Sequence, residues 1–458
     1  MPSTTRTVAR DLWQALGGAA PVVERLVLSG EGALPSAFRV TDLAAASVAV
    51  AALALAELLG QDAAAIPEVA VDRRLAAFWF GTSLRPVGWT LPAAWDPIAG
   101  DYRARDGWIR LHTNAPHHRA AAEAVLGRHP GKPGMAGAVA AWDADALEAA
   151  VLGAGGCAAA LRTPAAWAAH PQGRAVAAEP LVAATAGDRA PLRWQPRRDR
   201  PLAGLRVLDL TRVLAGPVAS RFLAGFGADV LRIDPPGWDE PGVVPEVTPG
   251  KRCARLDLRD AADRERFEAL LARADILLHG YRPGALDGLG YDAARRRALS
   301  PGLIDVSLDA YGWTGPWAGR RGFDSLLQMS TGIAQAGMAW KGAEVPVPLP
   351  VQALDHATGY LMAAAALRAL GRRAAAGEGS AARLSLARTA ALLTGLGEQL
   401  PAPPPAPEDA ADLHPVPEHT AWGEARRLRP PVAVAGAPMA WDRPAQELGS
   451  AAAAWGGA

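Results

Sequence analysis

The sequence predicts an α/β fold: a doubly wound, Rossmann-like parallel sheet domain together with a smaller α+β domain. Two observations support this prediction. From residue 201 onward, short β-branched and leucine-rich runs alternate with amphipathic segments, a pattern typical of parallel strands joined by crossover helices. The first half instead combines an alanine-rich helical pattern with a hairpin pattern. A length of 458 residues allows more than one domain.

The second half contains a series of short apolar runs that predict strands. They cover residues 206–210, 229–234, 254–258, 275–280 and 303–308. Amphipathic segments at 217–227 and 260–274 predict the helices between them. Residues 355–370 predict a long buried helix, and a strand that leads into a further helix follows it. This succession is typical of a Rossmann-like sheet.

The first half predicts a helix over residues 41–59 and a β-hairpin centred on the Asp106-Gly107 turn dipeptide. We divide the chain into an N-terminal half (1–195) that contains the smaller α+β domain, a Rossmann-like domain (200–400) and a C-terminal arm (401–458). The arm is rich in proline and alanine, which predicts an extended segment rather than a packed element.

The two halves also show a faint internal similarity. At an offset of 313 residues, Asp42 aligns with Asp355, and Val71 aligns with Leu384. A partial duplication would produce this alignment. Alanine-rich helices resemble one another through composition alone, however, so both explanations stand.

Composition excludes several classes of function. The formal net charge is +1, so no overall field favours nucleic acid or an anionic membrane. Cys157 and Cys253 lack disulfide or zinc spacing, and His117 and His118, predicted to be exposed, lack metal-ligand spacing, so we expect no metal site. The apolar run 43–56 is too short to span a bilayer and predicts a buried helix. With no signal-peptide pattern, these features favour the cytoplasm.

The first strand-to-helix turn lacks the GxGxxG pattern of dinucleotide-binding proteins, so hydride transfer is disfavoured. Five ordered blocks between Leu208 and Leu370 instead resemble the class III (CaiB/BaiF) coenzyme A transferases. The blocks are LDLTRVLAGPVASRFLAGFGADVLRIDPP, GKRCARLDL, HGYRPGALDGLGYD, DAYGWTGPWAGRRGFDSLLQMSTGIA and VQALDHATGYLMAAAALRAL.

This resemblance implies an enzyme that moves CoA from an acyl-CoA to a carboxylic acid. The family aspartate that forms an acyl anhydride and then an enzyme–CoA thioester matches Asp355. A carboxylate suits this role because it is ionised at neutral pH and yields an activated acyl group. Asp355 could equally be the N-cap of its helix. CoA is then a substrate rather than a permanently bound cofactor, and the resemblance also implies a homodimer.

Cations at matching motif positions are candidates for binding the CoA phosphates, since guanidinium groups suit phosphate oxygens. These residues are Arg212, Arg232, Lys251, Arg252 and Arg282. Solvated surface positions explain each single cation equally well. Trp313 and Trp317 are candidates for the apolar wall of the acyl pocket.

Two departures from the family leave alternatives open. Phe323 stands where the related acyl-CoA racemases use a histidine for proton transfer, which favours CoA transfer over racemase or isomerase chemistry. His356 is a minor candidate base. The features of the small domain precede the Rossmann-like half, so the N-terminal half either completes the active site or is a degenerate copy, with Asp42 as a rival nucleophile. A catalytically silent CoA-binding subunit is the third hypothesis.

Overall fold

A computed structural model describes residues 4–60, 66–192 and 194–456. Within these ranges it contains sixteen strands and seventeen α-helices. The strands are β1 (Leu26–Ser29), β2 (Val69–Asp72), β3 (Leu84–Pro86), β4 (Gly100–Arg103), β5 (Trp108–Leu111), β6 (Ala158–Ala160), β7 (Ala183–Arg189), β8 (Arg206–Leu210), β9 (Asp229–Asp234), β10 (Lys251–Arg255), β11 (Ile276–His279), β12 (Ile304–Asp309), β13 (Glu378–Ser385), β14 (Glu418–Thr420), β15 (Gly423–Arg427) and β16 (Val432–Val434).

The helices are α1 (Thr4–Ala15), α2 (Val40–Gly60), α3 (Arg73–Trp79), α4 (Pro116–Leu126), α5 (Lys132–Val139), α6 (Ala144–Gly153), α7 (Pro164–Ala169), α8 (Pro171–Ala178), α9 (Ala215–Gly225), α10 (Val244–Val247), α11 (Ala261–Leu271), α12 (Ala285–Gly288), α13 (Ala293–Leu299), α14 (Asp324–Ser330), α15 (Ile333–Lys341), α16 (Ala353–Ala376) and α17 (Leu386–Gly395).

The largest sheet has seven strands in the order β10-β9-β8-β11-β12-β13-β7. Its first six strands are parallel, and β7 pairs antiparallel with β13 at the edge. Strand order reverses between β8 and β11, as in a Rossmann-type doubly wound sheet, and ligands bind such sheets at the carboxyl ends of the strands beside this point. The predicted fold class is therefore confirmed.

The long helix α16 is buried along most of its length because alanines let neighbouring helices approach closely. It packs between α9 and α2. At Gly359 a Cβ atom would lie 2.3 Å from the carbonyl oxygen of Ala215, so only glycine fits against α9 there. This contact holds the second turn of α16 against the first turn of α9, beside the switch point of the sheet.

The alanine-rich helix α2 is also a core element. It is the one helix of the described ranges that is long and apolar enough to cross a membrane, and most of it is buried inside the protein. The prediction of a buried helix over residues 43–56 is confirmed. Its apolar surface is covered mainly by α1, α3 and α16.

The smaller α+β unit lies in the first half of the chain. β4 and β5 form the predicted hairpin around Asp106-Gly107, and β6 adds to β5. Three helices, α4 to α6, cover this sheet with a separate apolar core around Ile109 and Leu147. The unit lies between α3 and the Rossmann-like sheet in sequence.

The prediction that residues 401–458 form an extended arm without packed elements is wrong. β14 and β15 form a hairpin that pairs with β3, and β16 pairs antiparallel with β2. Asp412 makes a bidentate ion pair with Arg74 at 2.7 Å, and Trp441 stacks on Trp79 with ring centroids 5.8 Å apart. The many prolines interrupt the segment without preventing this packing, since the strands lie between them.

A buried charge cluster fastens the same segment to the sheet domain. Glu246 accepts hydrogen bonds from the backbone and hydroxyl of Ser83, and it pairs with Arg221 and with Arg427. Burial alone would raise the pKa of Glu246, but the two guanidinium groups lower it to about 2. Three distant parts of the chain therefore meet at one ionised carboxylate.

Candidate active site

A cleft of about 300 Å³ opens at the carboxyl ends of the central strands, where the topology places a ligand site. Asp355, in the first turn of α16, lines it. The loop after β8, the loop after β11 and the end of β12 form its walls together with α4 from the small unit. Its polar lining residues are His117, His118, Thr211, Arg212, Tyr281, Arg282, Asp309, Arg320, Arg321 and Asp355.

Asp355 occupies the third position of α16, and Gln352 is the N-cap residue. The alternative that Asp355 caps the helix is therefore wrong. The capping role is performed by Asp324 at the start of α14, whose carboxylate accepts hydrogen bonds from the backbone N–H groups of Leu354 (2.9 Å) and Asp355 (3.0 Å). The Asp355 side chain is thereby left for the cleft.

The two aspartates share one buried, acidic site. Burial raises the pKa of Asp355 well above its ordinary value, and the neighbouring charge of Asp324 raises it further. Asp324 also receives a hydrogen bond from Gln328 at 2.5 Å, so three donors stabilise its ionised form. The proton of the pair therefore resides on Asp355. Burial therefore opposes the ionised form of Asp355 that the sequence-based expectation assumed.

The loop after β8 is held in a strained conformation above Asp355. Val213 has φ = 62°, which is costly for a β-branched residue. Its N–H donates to Glu240 at 2.7 Å. On the other side Asp209 accepts from the backbone and hydroxyl of Thr211. These anchors fix the direction in which the Arg212 side chain leaves the loop.

Arg212 and Arg282 are the predicted cations that the structure brings to the cleft. The Arg212 guanidinium lies between the rings of Trp238 and Tyr281, 4.6 Å and 4.8 Å from their centroids, and donates to the Tyr281 hydroxyl. Arg282 is exposed on the rim, and within the described part of the chain its guanidinium has no ion-pair partner. Sequence reasoning did not single out Arg320 and Arg321, which add two more arginines to the wall; Arg320 pairs with Glu148.

The other three predicted cations lie outside the cleft. Arg232 is fully buried in the middle of β9 and is paired with Asp234 and Glu240. Lys251 is fully buried and lies 3.2 Å from Asp209. Burial lowers the pKa of Lys251 to about 8.

Arg252 pairs with Asp229 near the amino ends of the strands, opposite the cleft. The sequence motifs identified cations at family-like positions without showing at which edge of the sheet each one lies. These three positions give no support to phosphate binding by Arg232, Lys251 or Arg252, whose charges are neutralised by carboxylates within the fold.

Two histidines of the small unit lie beside Phe323, the position at which the related racemases use a histidine. Phe323 stacks on His112, with ring centroids 3.7 Å apart, and the ring of His118 meets its edge. The prediction that His118 is exposed is wrong, because it is buried at the cleft wall with its Nε2 3.5 Å from the Cys157 sulfur. Burial lowers the pKa of His118 to about 4, so it is neutral at physiological pH.

Asp309 is a further cleft residue that sequence reasoning missed. It ends β12, and its Oδ1 accepts from the N–H of Gly312 at 2.9 Å. Burial raises the pKa of Asp309 to about 7. Its place at the carboxyl end of a predicted strand was the available signal. His356, the minor candidate base, instead stacks on Phe80 inside the core, which separates it from the cleft.

The tryptophans predicted to wall the acyl pocket lie elsewhere. Trp317 packs against Trp167 and Arg320, and the Trp313 indole donates to the carbonyl of Leu384. Trp238 and Phe323 supply the aromatic wall of the cleft instead. Asp42 lines a separate cavity of about 360 Å³ on the N-terminal side of the protein.

The site therefore combines the buried carboxyl of Asp355, the titratable side chains of His118 and Asp309, and arginines at its mouth. A carboxyl in such a position can act as a nucleophile once it is deprotonated, and the arginines can hold phosphates. Across the residues that the structure describes, no group of three or more histidine, cysteine, aspartate and glutamate side chains is arranged to hold a metal ion.

The comparison with protein families separates this arrangement from other Rossmann-like sites. Residues 202–403, somewhat less than half of the chain, match the family model described as CoA-transferase family III. This region is similar to CoA-transferase family III. It contains the Rossmann-like strands from β8 to β13, and it contains Asp355.

Several curated relatives of the family III region are named as CoA transferases. The chain is 38% identical over 183 residues to an acetyl-coenzyme A transferase of Hypoxylon pulicicidum, covering 39% of this chain and 31% of the relative. It is 32% identical over 225 residues to a succinyl-CoA:glutarate CoA-transferase of Mus musculus, covering 45% and 51%. The matched region thus spans at most about half the length of these relatives.

Solved structures give a similar partial match. A crystal structure of a Mycobacterium tuberculosis protein is 29% identical, with 43% of this chain and 58% of that chain covered and a TM-score of 0.40. A CaiB/BaiF family protein of Brucella suis is 26% identical, with 49% and 65% covered and a TM-score of 0.38.

Proposed function

We propose that the protein transfers coenzyme A from an acyl-CoA donor to a carboxylic acid acceptor, with Asp355 as the nucleophile. The observation that carries this proposal is the Asp355 carboxyl, buried at the cleft of a family III region and relieved of helix capping by Asp324. A free carboxyl can attack the thioester carbon of an acyl-CoA, and cations at the opening can bind the CoA phosphates.

In the proposed reaction, deprotonated Asp355 attacks the thioester carbonyl, a C–O bond forms, and the C–S bond breaks to release CoA thiolate. The thiolate attacks the aspartyl carbonyl of the anhydride and releases the donor as a carboxylate. The acceptor carboxylate then attacks the aspartyl–CoA thioester, and the thiolate leaves again. Attack of the thiolate on the acceptor carbonyl yields the new acyl-CoA and restores Asp355.

Support for CoA as the ligand comes from the cleft mouth. Arg212 is held by stacking on Trp238 and Tyr281, and a fixed guanidinium loses little freedom when it binds phosphate. Arg282 and Arg321 add charge on the same opening. The names of the relatives, which include an acetyl-CoA:oxalate and a formyl-CoA:oxalate CoA-transferase, favour small carboxylic acids as acceptors here.

Trapping of the enzyme intermediate tests this proposal. The protein is incubated with a panel of acyl-CoAs and then with hydroxylamine, which converts an aspartyl thioester into a hydroxamate that peptide mass spectrometry locates. We expect modification at Asp355 and loss of acyl exchange in Asp355→Asn. Exchange that survives in Asp355→Asn would contradict the proposal.

Racemase or isomerase chemistry is the second candidate, and two cleft groups favour it. His118 is neutral and Asp309 titrates near pH 7, so both could carry the proton that Phe323 cannot. Deuterium incorporation at the α-carbon of an acyl-CoA without acyl exchange would support this function. Binding of CoA without either reaction would support a silent CoA-binding subunit.

The cellular setting completes the proposal. Cys157 and Cys253 are both buried free thiols, as expected for a protein of the reducing cytoplasm. Cell fractionation tests this location. The homodimer implied by the family resemblance is tested by light scattering of the purified protein.

A further inference from the structure

The N-terminal elements repeat the order and register of the elements around Asp355. α2 begins at Val40 and α16 at Ala353, at the same offset of 313 residues that aligns Asp42 with Asp355. At this offset β2 and β13 end together, and α3 and α17 begin together. Both helices are capped by the last strand residue, Asp72 in one and Ser385 in the other. Composition alone does not reproduce this agreement.

The neighbours of these elements also correspond. β1 pairs in parallel with β2 so that Ser29 faces Asp72, and β12 pairs in parallel with β13 so that Asp309 faces Ser385. α1 packs on α2, and α9 packs on α16. On the far edge β2 receives the antiparallel strand β16, and β13 receives the antiparallel strand β7. Six pairs of elements therefore share one arrangement.

Three groups of residues that line the cavity at Asp42 have counterparts in the lining of the cleft at Asp355. Residues 28–30 at the end of β1 line the first, and residues 308–310 at the end of β12 line the second. Asp42 and Asp355 contribute the aspartate in each. Position 73, at the start of α3, corresponds to position 386, at the start of α17, and both line their cavities.

One substitution separates the two cavities chemically. Position 386 is leucine, whereas position 73 is arginine, and the Arg73 guanidinium lies 3.1 Å from the Asp42 carboxylate. Thr5 donates a second hydrogen bond to the same oxygen, and Arg73 also donates to Thr5 at 2.9 Å. Among the residues that the structure describes, no such counter-ion pairs with Asp355. In addition, the three-stranded sheet of the first cavity, β1-β2-β16, lacks counterparts of β8 and β11, which supply the Arg212 and Arg282 loops.

We propose that residues 4–79 are a second copy of the Asp355-bearing unit, and that the cavity at Asp42 is its silenced counterpart of the active cleft. Arg73 neutralises the carboxylate that stands in the nucleophile position. The silencing part of this inference rests on the proposed role of Asp355. One chain then carries two equivalent carboxyls, of which one reacts.

The first test counts reactive carboxyls in the unmodified protein. After incubation with acyl-CoA and hydroxylamine, we expect one hydroxamate per chain, at Asp355. A hydroxamate at Asp42 would overturn the inference and leave the proposed function intact. A hydroxamate at neither aspartate would contradict the proposed function, and the second test then decides the equivalence of the two cavities without any acyl-CoA.

The second test transplants the silencing residue. In Leu386→Arg the new guanidinium should reach Asp355 as Arg73 reaches Asp42, and we expect the pKa of Asp355 to fall by about one to three units. Carbon-13 NMR of labelled aspartate carboxyls measures this, with the Asp355 resonance assigned by its loss in Asp355→Asn. Leu386→Met is the matched control and should leave the pKa of Asp355 raised. An unchanged pKa of Asp355 in a folded Leu386→Arg protein would refute the equivalence.

Discussion

Replacing Asp355 by asparagine should stabilise the protein at neutral pH, although it removes the proposed nucleophile. The folded state holds the pKa of Asp355 well above the value of 3.8 that an unfolded chain would show, chiefly through burial. Between these two pKa values the folded protein binds one proton more than the unfolded chain, so the free energy of unfolding decreases as pH rises. Asparagine carries no such proton.

The magnitude follows from the same linkage. One proton changes the free energy of unfolding by about 1.4 kcal/mol for each pH unit. The advantage of Asp355→Asn should therefore grow by about that amount per unit above pH 4, until the folded pKa is passed. For a chain of this length, about 1 kcal/mol corresponds to about 1 °C in melting temperature.

Melting of wild type and Asp355→Asn, measured by calorimetry at pH 5, 6, 7 and 8, provides the assay. Asp42→Asn is the matched control, because the same change there breaks a charge-assisted bond with Arg73 and should destabilise the protein by about 1.5–3 kcal/mol. A stability difference between wild type and Asp355→Asn that stays constant with pH, or a less stable Asp355→Asn protein at pH 7, would refute the reasoning.

Three further predictions concern the cleft and the fold. Asp324→Asn removes the neighbouring negative charge, so the acidic limb of the pH–rate profile for acyl exchange should shift to lower pH; a shift to higher pH would contradict the shared acidic site. Arg282→Ala should raise the KM for acyl-CoA severalfold and weaken its dependence on salt, whereas Arg252→Ala, outside the cleft, should leave both unchanged in steady-state kinetics. Glu246→Gln should lower the free energy of unfolding in urea by about 3–5 kcal/mol, because two buried guanidinium groups lose their carboxylate; a loss below about 1 kcal/mol would contradict that pairing.

Much of the Rossmann-like half could be predicted from local patterns. Strand and helix periodicity depends only on consecutive residues. For this reason the structure has β8, β9, β12 and α16 close to their predicted positions. Asp355 could be located because a motif fixed it at the start of a helix that follows the sheet. Its burial and its proximity to Asp324, which together raise its pKa, depend on how α14 meets α16 in space, and no local pattern encodes that contact.

Local patterns also did not predict where the cations lie in space. Lys251 begins a strand, and Arg282 follows one, so the two lie at opposite edges of a parallel sheet although both belong to family-like motifs. His118 reaches the cleft because a unit early in the chain folds over a sheet formed much later. Sequence separation of about 90 residues between β5 and β8 conceals that contact, and the proline-rich composition of residues 401–458 conceals three strands in a similar way.

The edge strands β16 and β7 set an order for folding during synthesis. The N-terminal sheet is complete only when β16 has left the ribosome, because β16 is the partner of β2. β7, by contrast, is made before the sheet that it joins. The N-terminal sheet therefore stays incomplete until late, and the nascent chain should stay open to chaperones and proteases until residue 434 has emerged.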